Sequence, residues 1–355
     1  MTDAQTEGQG SGQGGREAGA PVGKPVATQA GNLVLRVVEA RPLNPLIRLI
    51  RLQAEAGGRL PGFTAGAHIR VQVVLPDGSR DWRHYSLINL QADPGANDAP
   101  GEYLIAVRRE DEGRGGSRYM HERLAAGDLL QVEPPKNDFA LQPDAARAVL
   151  VAGGIGVTPL ATMAASRRAE QLPVRLHYAG RSRDVMAFLP ELEAMLGDDL
   201  VIHTDIEQGG PLDIAALLDG CGVDDRVYVC GPKPMLDAVL AHTQARGWGH
   251  DRVHFELFTT PVAAAGDQAF EVELAQSGQR FTVPAGQSIL DCMIEHGCDP
   301  MFDCKRGECG VCVTPVLEGE IDHRDYVLTA SEKADGKLMQ VCVSRARGQK
   351  LVLDF

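Results

Sequence analysis

Apolar positions along the chain change their spacing at three places, which divides it into stretches of different structure. Residues 1–30 show no apolar periodicity and are rich in Gly, Gln, Ala and Ser, so they cannot bury enough surface to fold and are predicted to be a disordered tail. Beyond them, short strand-like stretches follow one another closely, which predicts an antiparallel β-barrel over residues 31–143. The predicted strands are 33–38, 47–52, 68–75, 103–108 and 129–133.

After residue 143 the apolar stretches become continuous. Residues 148–152 are all apolar, which is typical of a strand buried on both faces. Strand and helix patterns then alternate, which predicts a doubly wound parallel sheet in an α/β domain over residues 144–258. The predicted helices are 158–170, 188–195, 213–218 and 234–246, and the predicted later strands are 174–179, 200–204, 226–230 and 252–257.

A third domain is predicted at the C-terminal end. Residues 259–267 contain three consecutive alanines and few bulky side chains, which predicts a linker. Alternating patterns at 269–274 and 279–283 then predict a hairpin, followed by a helix over 288–296. Residues 268–355 are therefore expected to fold separately.

Composition limits the kind of partner that the protein binds. Of the 355 residues, 44% are hydrophobic and 23% are charged, which suits a globular protein of two or three domains. The net charge of −13 argues against nucleic acid or an anionic membrane surface as the main partner. The chain has no apolar run of membrane-spanning length and no signal-peptide pattern, so we expect it in the cytoplasm.

Four of the eight cysteines are spaced C-x4-C-x2-C-x29-C, as plant-type ferredoxins space the ligands of a [2Fe–2S] cluster. They are Cys304, Cys309, Cys312 and Cys342. The intervening Gly307 and Gly310 permit positive φ, so that backbone N–H groups can face the sulfurs and stabilise negative charge. Zinc is the alternative, but structural zinc sites usually pair two short Cys/His knuckles. The spacing therefore predicts an iron–sulfur cluster.

A flavin site is the first candidate in the barrel. Arg83, His84, Tyr85 and Ser86 end a strand-like stretch. A guanidinium can bind a phosphate through two hydrogen bonds, an aromatic ring can lie against isoalloxazine, and a hydroxyl can reach the flavin N5 region. Taken alone, the motif also fits an edge strand with a salt-bridged arginine and a core tyrosine.

A phosphate site is the candidate at the next helix. Gly115, Gly116 and Ser117 precede or begin it, where free N–H groups and the positive helix end converge. A flexible surface turn is the alternative. The strand before this loop contributes Ala106, Val107 and Arg108 as candidate contacts to the flavin.

A dinucleotide site is predicted at the ends of the parallel strands, where nucleotides bind in doubly wound sheets. The turn after residue 152 is rich in glycine and allows a pyrophosphate to approach the backbone. A second segment ends a later strand, and a third follows the strand where a ribose 2′ hydroxyl or a 2′-phosphate would lie. The candidate residues are Gly153, Gly154, Ile155, Gly156, Thr158, Pro159, Arg181, Ser182, Cys230, Gly231, Pro232 and Met235. Each segment alone also fits a turn or helix cap that binds nothing.

In this order, the three motif groups resemble the phthalate dioxygenase reductase family, which includes vanillate demethylase reductases. The resemblance covers about residues 32–355. It implies an FMN-binding barrel, an NAD-binding α/β domain and a plant-type ferredoxin domain of the β-grasp type, which is α+β. His84 stands where the family often has Thr.

The resemblance also implies roles for individual residues. Ser86 and Cys230 are expected beside the reacting flavin and nicotinamide, and Phe258 matches an aromatic position near the flavin face. The implied function is transfer of electrons from NADH through FMN and the [2Fe–2S] cluster to a Rieske-type oxygenase, by a chain that is expected to be a monomer. The alternatives are a reductase for a cytochrome or diiron hydroxylase, and a redox-sensing interaction protein.

Overall fold

The computed structural model describes residues 31–93, 95–249, 251–258 and 266–355. The predicted tail, residues 1–30, lies outside the described residues, as do residues 259–265 of the predicted linker. Within the described ranges, no helix is both long enough and apolar enough to cross a membrane.

An antiparallel sheet in the order β4-β3-β6-β1-β2-β5 forms the first unit. Its two edge strands, β4 and β5, come next to each other, so the sheet closes almost completely into the predicted barrel. Ile69, Val71 and Val73 alternate along β3 and point into its core, as the period of two requires. The elements are β1 (Leu33–Pro42), β2 (Ile47–Ala54), β3 (His68–Val74), β4 (Arg80–Ser86), β5 (Tyr103–Arg108), α1 (Gly116–Glu122) and β6 (Leu129–Val132).

A parallel sheet in the order β11-β10-β7-β8-β9 forms the second unit. The chain runs from β7 to β8 and β9 on one side and later to β10 and β11 on the other, so the strand order reverses between β7 and β10. Helices α2 and α3 cover one face, and α5 and α6 cover the other. The elements are β7 (Arg147–Gly153), α2 (Val157–Ala169), β8 (Val174–Gly180), α3 (Leu189–Leu196), β9 (Leu200–Thr204), α4 (Asp205–Gln208), α5 (Ile214–Asp219), β10 (Asp225–Cys230), α6 (Lys233–Ala245) and β11 (Val253–Glu256).

A mixed sheet in the order β13-β12-β18-β14-β16, with α7 packed on it, forms the third unit. Ile289, Leu290 and Met293 of α7 are fully buried against the sheet. This α+β architecture agrees with the expected ferredoxin domain. The elements are β12 (Phe270–Leu274), β13 (Arg280–Val283), α7 (Ile289–Glu295), β14 (Val313–Glu318), β15 (Ile321–Asp322), α8 (Ala330–Asp335), β16 (Leu338–Gln340), β17 (Arg345–Ala346) and β18 (Lys350–Leu353).

The first two units share one hydrophobic core. Ile47, Leu49 and Phe139 of the barrel belong to the same buried cluster as Leu150 and Leu160 of the parallel sheet unit. The ferredoxin unit has a core of its own. The predicted domain boundaries at residues 143 and 267 fall between the three sheets, and their precise positions stay predictions.

Candidate redox site

Ser86 lies at the end of β4, opposite His68 of β3. Its side chain is buried, with 5% of the residue exposed, and its Oγ has no hydrogen-bond partner among the described residues. Buried hydroxyls are almost always hydrogen-bonded, so the Ser86 hydroxyl is available to a bound group or a water. A flavin ring edge at this position would supply that partner, as the sequence predicted.

Arg83 and the first turn of α1 come together as the sequence predicted. A Cβ at position 116 would lie 2.6 Å from the Nε of Arg83, so the arginine side chain packs directly against the start of the helix. Gly115 precedes it with φ +95°, in the left-handed region. Arg83 is held there by Asp81 at 2.6 Å and by the carbonyl oxygen of Trp82 at 2.8 Å. This arrangement fits a phosphate group.

Several other predicted flavin contacts are already engaged within the protein. The Ser117 hydroxyl accepts from the Glu110 backbone N–H at 3.0 Å. The carbonyl oxygen of Val107 accepts from His121 Nε2 at 2.8 Å. Arg108 is exposed and ion-paired, whereas Ala106 is buried inside β5. Any flavin contact from this strand therefore stays a prediction.

Two histidines lie beside Ser86 and are held neutral. The ring centroids of His68 and His84 are 5.0 Å apart. Burial lowers the pKa of His68 to about 4 and that of His84 to about 2, and the charge of Arg306 adds to both effects. Because both rings are uncharged at neutral pH, His84 does not supply positive charge for a phosphate.

Two of the three predicted nucleotide segments, those that follow β7 and β10, are in contact at the point where the strand order reverses. A Cβ at position 153 would lie 2.5 Å from Cδ of Pro232 and 3.1 Å from Sδ of Met235. A Cβ at position 156 would overlap the carbonyl oxygen of Cys230. Ligands bind at this reversal, beyond the carboxyl ends of the strands. The structure thus gives a physical reason for glycine at both positions.

Most of the remaining residues of these segments are buried or packed against one another. Gly154 has φ +55° with open space around its Cα, and Thr158 is buried, with its Oγ1 donating to the Ile155 carbonyl oxygen at 3.0 Å. Pro159 is buried in α2, and an added Cβ at position 231 would lie 3.2 Å from the Cα of Gly153. Burial raises the pKa of the Cys230 thiol well above its usual value. Cys230 therefore shapes the site as a neutral thiol and does not act as a thiolate nucleophile.

The 2′-side candidates and the aromatic residue follow β8 and β11, two strands that β7 and β10 separate in the sheet. Arg181 and Ser182 directly follow β8, which is paired with β7. The next arginine, Arg183, is ion-paired with Glu193 at 2.5 Å. Phe258 lies two residues beyond β11 and is 36% exposed. Its stacking on a flavin stays a prediction.

The four cysteines come together as two pairs. A hydrogen bond from the Cys309 thiol lowers the pKa of Cys304 to about 5, and the Cys342 thiol lowers the pKa of Cys312 in the same way. No three or more His, Cys, Asp or Glu side chains of the described residues are placed to hold a single metal ion. Two pairs instead suit a cluster with two iron ions, each held by two thiolates. The residues therefore fit [2Fe–2S] better than zinc.

The loop that carries these cysteines has the backbone geometry that the sequence predicted. Gly307 has φ +76° and Gly310 has φ +80°, and a Cβ at position 307 would lie 2.7 Å from the side chain of Val343. The backbone N–H of Arg306 donates to the sulfur of Cys304 at 3.3 Å. These N–H groups can stabilise the charge of thiolates.

Contacts between domains, which the sequence did not indicate, hold this loop against the other two units. Glu308 accepts from the backbone N–H of Leu257, at the end of β11, at 2.8 Å. Asp303 pairs with Lys136 of the barrel unit. On the outer side, the Tyr326 hydroxyl donates to Asp237 of α6 at 3.3 Å. The loop therefore lies at the junction of the flavin and nucleotide candidate sites.

Comparison with known proteins agrees with this arrangement. Residues 272–347 match the family model described as "2Fe-2S iron-sulfur cluster binding domain". The chain is 39% identical to the phthalate 4,5-dioxygenase oxygenase reductase subunit of Pseudomonas putida, over 90% of this chain and 96% of that protein. It is 40% identical to the heme-dependent oxidative N-demethylase beta subunit of Ectopseudomonas mendocina (strain ymp), over 91% and 99%.

A solved structure has the same domain arrangement. It is that of a phthalate dioxygenase reductase, described as a modular structure for electron transfer from pyridine nucleotides to [2Fe–2S]. The TM-score is 0.70 at 37% identity, and the match covers 92% of this chain and 98% of the other. Together with the two full-length relatives, this shows that the chain is an electron-transfer oxidoreductase of the phthalate dioxygenase reductase family.

Proposed function

We propose that this protein is the NADH-dependent reductase component of an oxygenase system and passes electrons to a Rieske-type oxygenase. The observation that carries the proposal is the position of the cluster loop at the junction of the other two sites. Relatives that match over their whole length are reductase subunits of oxygenase systems, such as those acting on phthalate and carnitine. We also propose that the protein is located in the cytoplasm and is a monomer.

When bound, FMN accepts an electron pair from NADH as hydride and releases electrons singly, which a one-electron iron–sulfur acceptor requires. The residues of the chain contribute binding and orientation. Arg83 and the start of α1 would hold the phosphate, and the Ser86 hydroxyl would contact the ring edge. Gly153 and Gly156 let the two strand-end segments pack closely where the dinucleotide would bind, so that positioning supplies most of the catalysis. No general acid or base is needed for hydride transfer.

The acceptor is proposed to be a protein because apolar side chains are exposed beside the cluster ligands. Met301, Phe302 and Val311 are exposed on the cysteine loop, and Val313 is exposed immediately after it. Exposed apolar groups that lie close together mark protein contact surfaces. Cys309, the least buried ligand candidate, belongs to this same loop.

A haem protein is the second candidate acceptor. The relative in Ectopseudomonas mendocina is a subunit of a heme-dependent demethylase, and its sequence matches this chain as well as that of the phthalate dioxygenase reductase does. The two relatives match this chain over 99% and 96% of their own length, so the sequence match does not distinguish the two acceptors. The acceptor therefore has to be identified by experiment.

The proposal is tested by measuring NADH-driven reduction of purified acceptors under anaerobic conditions. We expect rapid reduction of a Rieske oxygenase encoded beside this protein, and slower reduction of cytochrome c and ferricyanide. Faster reduction of a haem oxygenase would favour the second candidate. If no acceptor, including ferricyanide, is reduced at the expense of NADH, the protein is a sensor rather than a reductase.

A further inference from the structure

Arg306 is a buried cation at the place where the three units meet. Only 5% of the residue is exposed, although arginine is almost never fully buried unless it is paired. It is the second residue after Cys304, and its backbone N–H contacts the sulfur of that cysteine. The guanidinium is therefore part of the inner side of the cluster loop, facing away from solvent.

Its ion-pair partner fixes it against the nucleotide unit. Nη2 of Arg306 is 2.7 Å from Oε1 of Glu308, and the two side chains are 7% and 9% exposed. The other carboxylate oxygen of Glu308 accepts from the backbone N–H of Leu257. The Nε of Arg306 has no partner within the described part of the chain. The guanidinium is thus firmly held, and one of its nitrogens is still free to interact.

The charge of Arg306 acts on both proposed redox sites. At the flavin site, burial lowers the pKa of His84, and the charge of Arg306 is the second cause. Burial lowers the pKa of Arg306, but the negative charges of Glu308 and, at the cluster site, of Cys304 raise it. One buried charge therefore acts on the flavin site and on the cluster site, where little water is present to screen it.

We propose that Arg306 is a positioning residue for electron transfer, whose buried charge favours the reduced cluster and so directs electrons from the flavin to the cluster. In that step the reduced flavin, charged with two electrons by NADH, loses one electron, and one ferric ion of the cluster becomes ferrous. The four thiolates and their irons gain one negative charge. Net charge and exposure set the potentials of such clusters, so a buried cation raises the potential. This inference rests on the proposed function.

The same contacts would exist if Arg306 only fastened the domains together, so the test has to separate charge from structure. Its readout is the midpoint potential of the cluster in the full holoprotein, followed by electron paramagnetic resonance. Replacing Arg306 alone would leave Glu308 buried without its ion-pair partner, so that variant would not report the guanidinium charge alone. The cleanest comparison therefore removes the guanidinium in a background where Glu308 is already uncharged.

We expect E308Q to raise the cluster potential, because the guanidinium is then no longer balanced. Adding R306Q to E308Q is expected to shift the flavin-to-cluster equilibrium at least tenfold toward reduced flavin, which is about 59 mV for one electron. R306K should keep most of the wild-type potential. K305Q is the matched control, since Lys305 lies in the same loop but is partly exposed and paired with Asp291 at 2.9 Å.

Equal potentials for E308Q and R306Q/E308Q, or an equally large shift in K305Q, would overturn the proposal. If the double variant does not retain its cluster, the proposal is tested by E308Q alone. A cluster potential in E308Q that is lower than or equal to that of the wild type contradicts the proposed charge effect. A wild-type protein without flavin or cluster would instead refute the proposed function. Failures of the two proposals are therefore distinguishable.

Discussion

Glu308 of the cluster loop accepts a 2.8 Å hydrogen bond from the backbone N–H of Leu257, which directly follows the last strand of the nucleotide sheet. A side chain one residue before a cluster ligand is thus tied to the residue before Phe258, the aromatic residue expected at the flavin face. Together with the pair between Lys136 and Asp303, this bond places the cluster loop where the other two candidate sites meet. The three candidate sites therefore lie next to one another.

The first prediction is that the cluster is needed for electron delivery to a protein acceptor but not for NADH oxidation at the flavin. Cys309→Ser should remove the cluster and abolish electron delivery to a protein acceptor, because each iron needs two thiolates. NADH oxidation with an artificial acceptor that takes electrons from flavin should stay nearly intact. Steady-state rates with both acceptors measure this. Cys298→Ser is the control, since this thiol lies outside the ligand set, near Gln279. Equal loss of both activities in C309S would contradict the account.

Arg83→Ala should weaken FMN binding about ten- to hundredfold, because hydrogen bonds to charged groups contribute roughly 1.5–3 kcal/mol. Titration of the apoprotein with FMN, followed by flavin fluorescence, measures the dissociation constant. Arg80→Ala is the matched control on the same strand, where the exposed arginine contacts Gln72 instead. Unchanged FMN affinity in R83A would remove Arg83 from the phosphate site.

Gly156→Ala should disturb the nucleotide site, because the new Cβ would overlap the carbonyl oxygen of Cys230. Overpacking of this kind destabilises by on the order of 2 kcal/mol, and we expect a lowered melting temperature and weaker NADH binding. Gly210→Ala is the control in the same unit, since nothing lies within 4 Å of its added Cβ. If both variants bind NADH like the wild type, the proposed contact between the two segments is not important for the site.

Glu256, at the end of β11, should make stability depend on pH. Burial raises its pKa to about 8, so the folded state keeps the proton while the unfolded state loses it near pH 4.5. Wild-type stability contributed by this group is therefore lost as pH rises from about 4.5 to 8.

Glu256→Gln removes this dependence. Relative to wild type, the free energy of unfolding of E256Q should increase with pH by on the order of 1.4 kcal/mol per unit within that window and level off above it. Urea unfolding at pH 5, 7 and 8.5 measures the difference. Glu207→Gln, an exposed site in the same unit, serves as the control. A difference that is constant or that shrinks as pH rises would show that Glu256 ionises normally.

Local backbone conformations could be predicted from the sequence, because they depend on residues that are close together in the chain. The helix predicted over 158–170 is observed at Val157–Ala169, and the glycines of the cluster loop have the expected positive φ. The two nucleotide segments were placed at strand ends of one sheet, and the structure brings them into contact. Strands β14 and β16 and helix α8 were not predicted, since their short patterns carry little periodicity.

Assemblies that depend on the docking of domains could not be predicted. Arg306 and Glu308 stand in a loop rich in charged residues, where a solvated surface is the ordinary expectation. They are buried only because the barrel and the nucleotide unit cover this side of the loop. His68 lies directly opposite Ser86. Its position became evident only from the register of β3 and β4.

Anaerobic addition of NADH to the purified full-length protein, followed by electron paramagnetic resonance, tests the central claim most directly. The account predicts one FMN, two iron ions and two acid-labile sulfides per chain, and a signal of the reduced [2Fe–2S] cluster that appears after NADH is added. A protein without iron and sulfide, or a cluster that stays oxidised while NADH bleaches the flavin, would contradict it.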